Sequence, residues 1–219
     1  MNDTEERMSL DRINMTVQEL LTEMKDKSEV IVDLAYASLM YNSLDMAEKV
    51  GGLEDEMEDL KYAIRIKVLL AARTMEDAKQ FSGILQVASA ADRISHAAGE
   101  IVKLLDIPLE NRPFITNIIN ESDEKIRMTK ILPKSDMAGN TIDHLAVEAC
   151  TGTKIIALKN RQGWVYDPDE SIKLRAGDDI IVRGSEDGFN RLIKFASGQM
   201  AWVFPEEYEE DEEYEEDEE

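Results

Sequence analysis

The stretch TIDHLAVEACTGTKIIALKNRQGWVYDPDESIKLRAGDDIIVRGSEDGFNRL, residues Thr141–Leu192, decides the reading of this 219-residue chain. Thr141 is placed to cap a helix on which Ile142, Leu145, Ala146 and Ala149 share one face. Gly152 stands just past its end, where a left-handed residue closes a helix at least cost. Thr153–Lys159 carries β-branched residues, and Asn160-Arg161-Gln162-Gly163 turns the chain into a second strand, Trp164-Val165-Tyr166. Pro168 ends that strand because it cannot donate to a ladder. Ala176-Gly177-Asp178 is a tight turn into Asp179–Arg183, an alternating half-buried strand. Ser185 caps a last short helix bearing Phe189, Leu192 and Ile193, and upstream Lys125–Leu132 reads as an opening strand closed by Pro133. The sum is a small α+β domain of roughly 80 residues.

Outward from this domain toward the N-terminus the pattern changes to helical. From Met15 to about Asn42, Val17, Leu20, Leu21, Met24, Ile31 and Leu34 recur at helical spacing. Ser43 is an N-cap for a second helix, Leu44 to Arg73, with the stripe Val50, Leu53, Met57, Leu60, Ile64 and Val68. Thr74 with Asp77 resembles a capping box for a third helix, Met75–Leu105. Its apolar positions are Phe81, Ile84, Ala88, Ala91, Ile94, Ala98, Ile101 and Leu105, the mean 3.5-residue spacing of a bundle seam. Three helices of about 30 residues span about 45 Å each. Joined by short turns they predict an antiparallel up-down-up bundle, with one flank left for self-association.

Composition bounds the rest. With 43% hydrophobic residues the chain can bury a core, and its one cysteine, Cys150, excludes an internal disulfide. Cys150 lies on the apolar side of the Thr141 helix, which predicts a buried structural residue. The polar, acidic N-terminus is not a signal peptide. Val30–Leu44, the longest apolar stretch, contains Asp33 and falls short of the ~20 apolar residues of a membrane span. The expectation is a soluble, cytoplasmic protein, peripheral to a membrane only through a partner. Net charge is −22, of which the tail Glu206–Glu219 supplies −12. Such a tail is expected to be disordered, as a solubilising segment or a docking element, and its repulsion of phosphate predicts no nucleic-acid partner.

Thr151-Gly152-Thr153 before an apolar strand, Asp167-Pro168 after an aromatic one and Ala176-Gly177-Asp178 before another together resemble the C-terminal domain of the RCK family, also called TrkA-C. That resemblance implies a regulatory module of archaeal-type potassium channel and transport proteins, which dimerises, binds a small effector and acts on a partner. In several relatives paired modules bind a cyclic dinucleotide through an Asp-x-Arg on their first helices. Ala146 and Glu148 stand at those positions here, and a glutamate facing phosphate costs affinity. Ile142, Leu145, Ile155 and Ile156 are the candidate lining of an effector pocket, or else a dimer core.

A second resemblance lies in the helical half. Val50-Gly51-Gly52-Leu53-Glu54-Asp55-Glu56-Met57-Glu58 and Ala91-Asp92-Arg93-Ile94-Ser95-His96 look like the two acidic motifs of PhoU domains. In that family carboxylates four residues apart share a helix face and hold metal ions. Glu54 and Glu58 match the first motif and Asp92 the second, with His96 where an acidic residue is usual. The resemblance implies a site for zinc or iron on Glu54, Glu58, Asp92 and His96. The alternative is ordinary pairing: Lys61 three residues from Glu58, Arg65 beyond it, and His96 a hydrogen-bonded interior residue.

No Gly-x-Gly-x-x-Gly, Walker loop or nucleophile elbow occurs, and His96 and His144 are the only histidines. The expectation is a non-enzymatic chain of four parts: a helical bundle over 1–112, a linker over 113–122, the α+β domain over 123–205 and the acidic tail over 206–219. Its expected partners are itself, as a homodimer or higher oligomer, a membrane cation channel or transporter subunit, and a small effector. A PhoU-like metal-binding scaffold in phosphate or metal signalling is the alternative, and a bare oligomeric interaction module a third.

Overall fold

A computed structural model describes residues 12, 14–112, 117 and 121–203 and divides the chain into two compact units, Met1–Arg127 and Met128–Glu219. The expectations for the acidic tail, the first eleven residues and most of the linker lie outside the described residues.

The first unit is three long helices: α1 (Val17–Tyr41), α2 (Leu44–Ala71) and α3 (Met75–Val102), each packed on the other two. All three start on side-chain caps. The hydroxyl of Thr16 accepts from the Glu19 amide, that of Ser43 from Met46, and that of Thr74 from Asp77, with the carboxylates of Glu19 and Asp77 returning the bond to form capping boxes. Helix α1 ends at Asn42, which takes the left-handed conformation (φ 49°) that asparagine tolerates better than most residues. Helix α3 tightens into 3-10 turns over Lys103–Asp106 and Leu109–Asn111. Leu20 and Met24 of α1, Met57, Leu60, Ile64 and Val68 of α2 and Ala88 of α3 form the core. Each large side chain buried there contributes about 1.5–3 kcal/mol. Among the described residues no helix is long and apolar enough to cross a membrane.

The expected seam of α3 packs inward at Phe81, Ile84, Ala88, Ala91, Ala98, Ile101 and Leu105, and departs at one position. The fully inward positions of α3 are Ala88, Asp92, Ser95 and Ala98, whereas Ile94 is 44% exposed. Asp92 and Ser95 fill the middle of the inward face in place of Ile94, which brings Asp92 within reach of α2.

The second unit is a four-stranded sheet ordered β1 (Lys125–Lys130), β4 (Asp179–Gly184), β2 (Thr153–Asn160), β3 (Gly163–Tyr166), with the short helices α4 (Ile142–Leu145) and α5 (Val147–Thr151) and the longer α6 (Glu186–Ala196). Strand β2 pairs antiparallel with both neighbours, and a bulge at Ile156 interrupts its register with β4, where Ile155 opposes Val182 and Ala157 opposes Ile181. Ile155 and Leu158 of β2, Ile180 and Val182 of β4, Leu145, Val147, Leu174, Leu192 and Phe195 form one core cluster. Trp202 closes it, its ring tilted 49° against that of Phe195 with centroids 4.5 Å apart, and donates its indole N–H to the Leu145 carbonyl.

Two expectations change here. The single helix from Thr141 is two pieces, because Ala146 adopts a left-handed conformation (φ 44°, ψ 51°) that lets the chain turn between α4 and α5. Cys150 is only partly buried: it packs against the core while its Sγ donates to the Val203 carbonyl at 3.5 Å. Gly152 closes α5 at φ 72° and Ser185 caps α6, both as the sequence indicates.

Candidate functional site

In the helical unit the face of α3 that meets α2 collects the charged residues of both motifs. The Glu54 carboxylate lies against Gly99, where an added Cβ would come within 2.5 Å of its Oε2. It also lies 3.7 Å from His96 Nδ1, and the same nitrogen is 3.0 Å from the Asp92 carbonyl one turn back. One turn along, Lys61 of α2 reaches across to donate to Asp92 Oδ2 at 2.7 Å, in a pair whose side chains are 20% and 11% exposed. Asp92 Oδ1 is buried with no hydrogen-bond partner. Lys27 Nζ ties α1 to Glu56 of α2 at 2.6 Å, with Lys49 of α2 3.8 Å from the same carboxylate, and Arg12, ahead of α1, sits 3.0 Å from Asp59 of α2.

Electrostatics follow from these contacts. Burial pushes the Glu56 carboxyl up, but the Lys27 hydrogen bond and the charges of Lys27, Lys49 and Arg12 outweigh it and hold the group below the ordinary value. Glu19 and Asp77 are held low by the backbone amides they cap.

Of the four proposed metal ligands, the structure brings Glu54 and His96 together. Asp92 holds the Lys61 ammonium instead, and Glu58 is exposed. Among the described residues no group of three or more His, Cys, Asp or Glu side chains is placed to hold a metal ion. The unpartnered Asp92 Oδ1 is the one atom here that a cation would satisfy, but Lys61 already supplies a positive charge beside it. Among the described residues, the side chains as arranged do not fit a zinc or iron centre. Lys61 and its cross-helix target escape a sequence reading, because the contact depends on how α3 is rotated about its axis.

In the second unit, Leu145 and Ile155 belong to the core cluster, Ile142 packs on it, and Ile156 is buried at the bulge. These four side chains therefore serve the packed interior of one domain. Polar groups gather at the C-terminal end of α5. Thr151 Oγ1 donates to the Val147 carbonyl, lies 2.6 Å from Thr153 Oγ1 and accepts from the Thr153 amide, and Arg191 Nη1 donates to the Cys150 carbonyl at 3.2 Å. Glu148 is exposed in the first turn of α5.

Comparison with known proteins adds the family. Residues 21–105 match the family model of the PhoU domain and residues 127–197 that of the TrkA-C domain, so the chain carries the first followed by the second. Both are regulatory, non-catalytic domain families. No curated protein matches the chain. Among solved structures, the RCK_C domain dimer of S. agalactiae BusR in complex with c-di-AMP is 24% identical, over 32% of this chain and 93% of that one, with a TM-score of 0.31. The RCK C domain of the potassium transport protein KtrA, in complex with cyclic diadenosine monophosphate, is 29% identical over 40% and 98%, with a TM-score of 0.32. S. agalactiae BusR in complex with its busAB-promotor DNA is 13% identical over 80% and 98%, with a TM-score of 0.33.

That DNA complex corrects the exclusion of nucleic acid from this chain's partners. The exclusion summed charge over the whole chain and leaned on the tail, and a sum does not describe each face of a molecule.

Proposed function

We propose that this chain, a PhoU domain followed by a TrkA-C domain, is a non-enzymatic regulatory subunit of cation transport, foremost of potassium. Its TrkA-C domains pair, bind a small effector and bias a membrane-embedded partner supplied by another chain. The observation that carries the reading is the TrkA-C match over residues 127–197, on a domain whose interior is filled by its own side chains. With that interior closed, an effector is met at the surface around α4 and α5, where two copies present the same groups. Regulation then follows from differential affinity: an effector favouring one arrangement of the pair shifts the population toward it, and the helical unit passes that shift on. The protein works in the cytoplasm, at the membrane through its partner.

Glu148 constrains the effector. It lies in the first turn of α5, and two copies facing each other bring two carboxylates to one ligand. A phosphate-rich effector is disfavoured there unless a cation accompanies it.

A thermal-shift panel on the full chain tests this reading, with cyclic dinucleotides, adenine nucleotides, phosphate, K⁺, Zn²⁺ and Fe²⁺. An effector at about 100 times its dissociation constant stabilises by about 2.7 kcal/mol, a shift of several degrees. The expected result is a response to an organic or ionic effector, together with a membrane transport protein retained on affinity purification whose flux changes with that effector. Flux indifferent to the chain across the panel overturns the proposal, and a response to Zn²⁺ or Fe²⁺ alone returns the PhoU-type scaffold.

A further inference from the structure

The second half of α2 is apolar on both sides. Leu60, Ile64 and Val68 face the bundle core, while Tyr62, Ile66 and Leu69 form an opposite row, exposed by 61, 36 and 64%. Leu70 beside that row and Met75 at the start of α3 are 80 and 75% exposed. A helix apolar all round is normally covered on every side.

The charge of the same segment is equally unusual. Between Asp59 and Glu76 the chain has no acidic residue and four cations, Lys61, Arg65, Lys67 and Arg73, in a protein of net charge −22. Helical geometry puts Arg65 along the edge of the row Tyr62, Ile66 and Leu69, and Arg73 follows in the short exposed connection between α2 and α3. Lys61 is committed to Asp92, and Lys67 lies close enough to Glu19 to lower its carboxyl. Three acids share this end of the bundle. Glu19 and Asp77 are folded back onto the amides they cap, and Glu76 lies 3.7 Å from Lys79. From Tyr62 onward the outward row presents hydrocarbon, the Tyr62 hydroxyl and guanidinium groups, with the exposed Glu58 carboxylate one turn before it.

We infer that this row, from Tyr62 through Leu70 and Arg73 to Met75, docks the helical unit on an anionic lipid surface. The helix lies along the interface, Leu69, Leu70 and Met75 enter the acyl boundary, Tyr62 sits at headgroup level, and Arg65 and Arg73 meet lipid phosphates. Charge selects this occupant. A second copy docking the same row across a two-fold axis would set one acid-free, cationic stretch from Tyr62 to Met75 against another. Nucleic acid would satisfy the arginines but leave the leucines and Met75 in water. The acidic charge elsewhere is screened beyond about 8–10 Å at physiological salt, so the local surface governs approach. The inference does not rest on the proposed effector reading: failure of lipid binding would leave a thermal-shift response untouched.

The test is flotation of the full chain with vesicles of phosphatidylcholine alone or mixed with phosphatidylglycerol, at physiological salt. Partitioning at least about tenfold higher on the anionic vesicles is expected, since each arginine at such a surface contributes about fivefold. Arg65→Glu/Arg73→Glu and Leu69→Ser/Leu70→Ser should each abolish that excess with the far-UV CD spectrum unchanged, because all four side chains lie outside the core. A Leu70→Trp variant should show a blue-shifted emission difference on anionic vesicles. No preference for anionic vesicles overturns the inference, as does binding insensitive to both double variants. Variants that only convert a dimer to a monomer, without vesicle binding by the parent, overturn it in favour of a second copy.

Discussion

Replacing Lys61 by methionine should destabilise the helical unit by about 3 kcal/mol, the lower end of what breaking a buried ion pair costs. The figure comes from the environment of its partner. Asp92 is 11% exposed at the side chain, its Oδ2 depends on Lys61 at 2.7 Å, and its Oδ1 has no other donor to fall back on. Removing the ammonium leaves a largely buried carboxylate between two helices without its counter-charge. Lys61 itself keeps 20% exposure, which tempers the loss. Methionine keeps most of the stem, so lost packing is a minor part. The double variant Lys61→Met/Asp92→Leu removes both charges and should recover most of the stability, since paired charges in such places are often no better than apolar residues. The readout is built into the chain: its two tryptophans, Trp164 and Trp202, both lie in the second unit, while the long helices dominate far-UV ellipticity. Urea unfolding followed by ellipticity should shift in the single variant while tryptophan emission keeps its midpoint. In heating, 3 kcal/mol on a unit of about 100 residues is a fall of about 10–20 °C. A single variant that loses under about 0.5 kcal/mol would place the pair with ordinary surface pairs and refute the reasoning. Equal loss in single and double variants would refute it as well. Zinc that stabilises Lys61→Met but not the parent would show that the ammonium stands where a cation can.

Four further outcomes are expected. Gly188→Ala puts a Cβ 2.6 Å from the Thr151 carbonyl and should cost about 1–3 kcal/mol in the tryptophan-monitored transition, despite alanine's better helix propensity. Ala146→Gly relieves a left-handed alanine and should stabilise the same transition by about 0.5–1 kcal/mol; a loss would mean that the Ala146 side chain carries packing. Because the folded protein holds Glu56 below its unfolded value, its contribution is present above the ordinary carboxylate value of 4.5 and vanishes as pH falls through the lower folded one. Ellipticity-monitored stability should therefore drop below about pH 4.5, less steeply in Glu56→Gln. Glu148→Arg should tighten binding of cyclic diadenosine monophosphate by about tenfold or more, about 1.4 kcal/mol, read by thermal shift, and an unchanged response would remove α5 from the effector site.

Local chemistry made much of this fold legible. Ser43, Thr74 with Asp77, Thr141 and Ser185 each cap a helix as their neighbours in sequence indicate, because a cap is a contact between residues two or three apart. Gly152 and the turn into Asp179 were readable for the same reason. Features set by distant partners were not. Nothing near Ala146 marks a left-handed residue, since alanine has no preference for that conformation, and the break follows from how α4 and α5 must lie on the sheet. Ile94 lies outside and Asp92 inside because of what α2 sets opposite them, the Lys61 ammonium. The candidate metal residues follow from a resemblance to the PhoU acidic motifs, yet the packing that joins Glu54 to His96 gives Asp92 to Lys61. Sequence spacing speaks of one helix face and says nothing of what stands opposite.

The bulge in β2 gives the small domain a point of tolerance to insertion and deletion. Ile155 and Leu158 both face the core although three positions separate them, which a regular strand forbids. Ile156 is the surplus residue that corrects the phase, and its carbonyl accepts the amide of Asp167 (φ 49°), where the chain leaves β3. Removing Ile156 alone would leave every other side chain of the strand on its present face. Removing any residue of β4 between Ile180 and Val182 would turn part of that strand inside out. Within this sheet, the length of the chain can change by one residue at the bulge and at no neighbouring position without exchanging interior for surface.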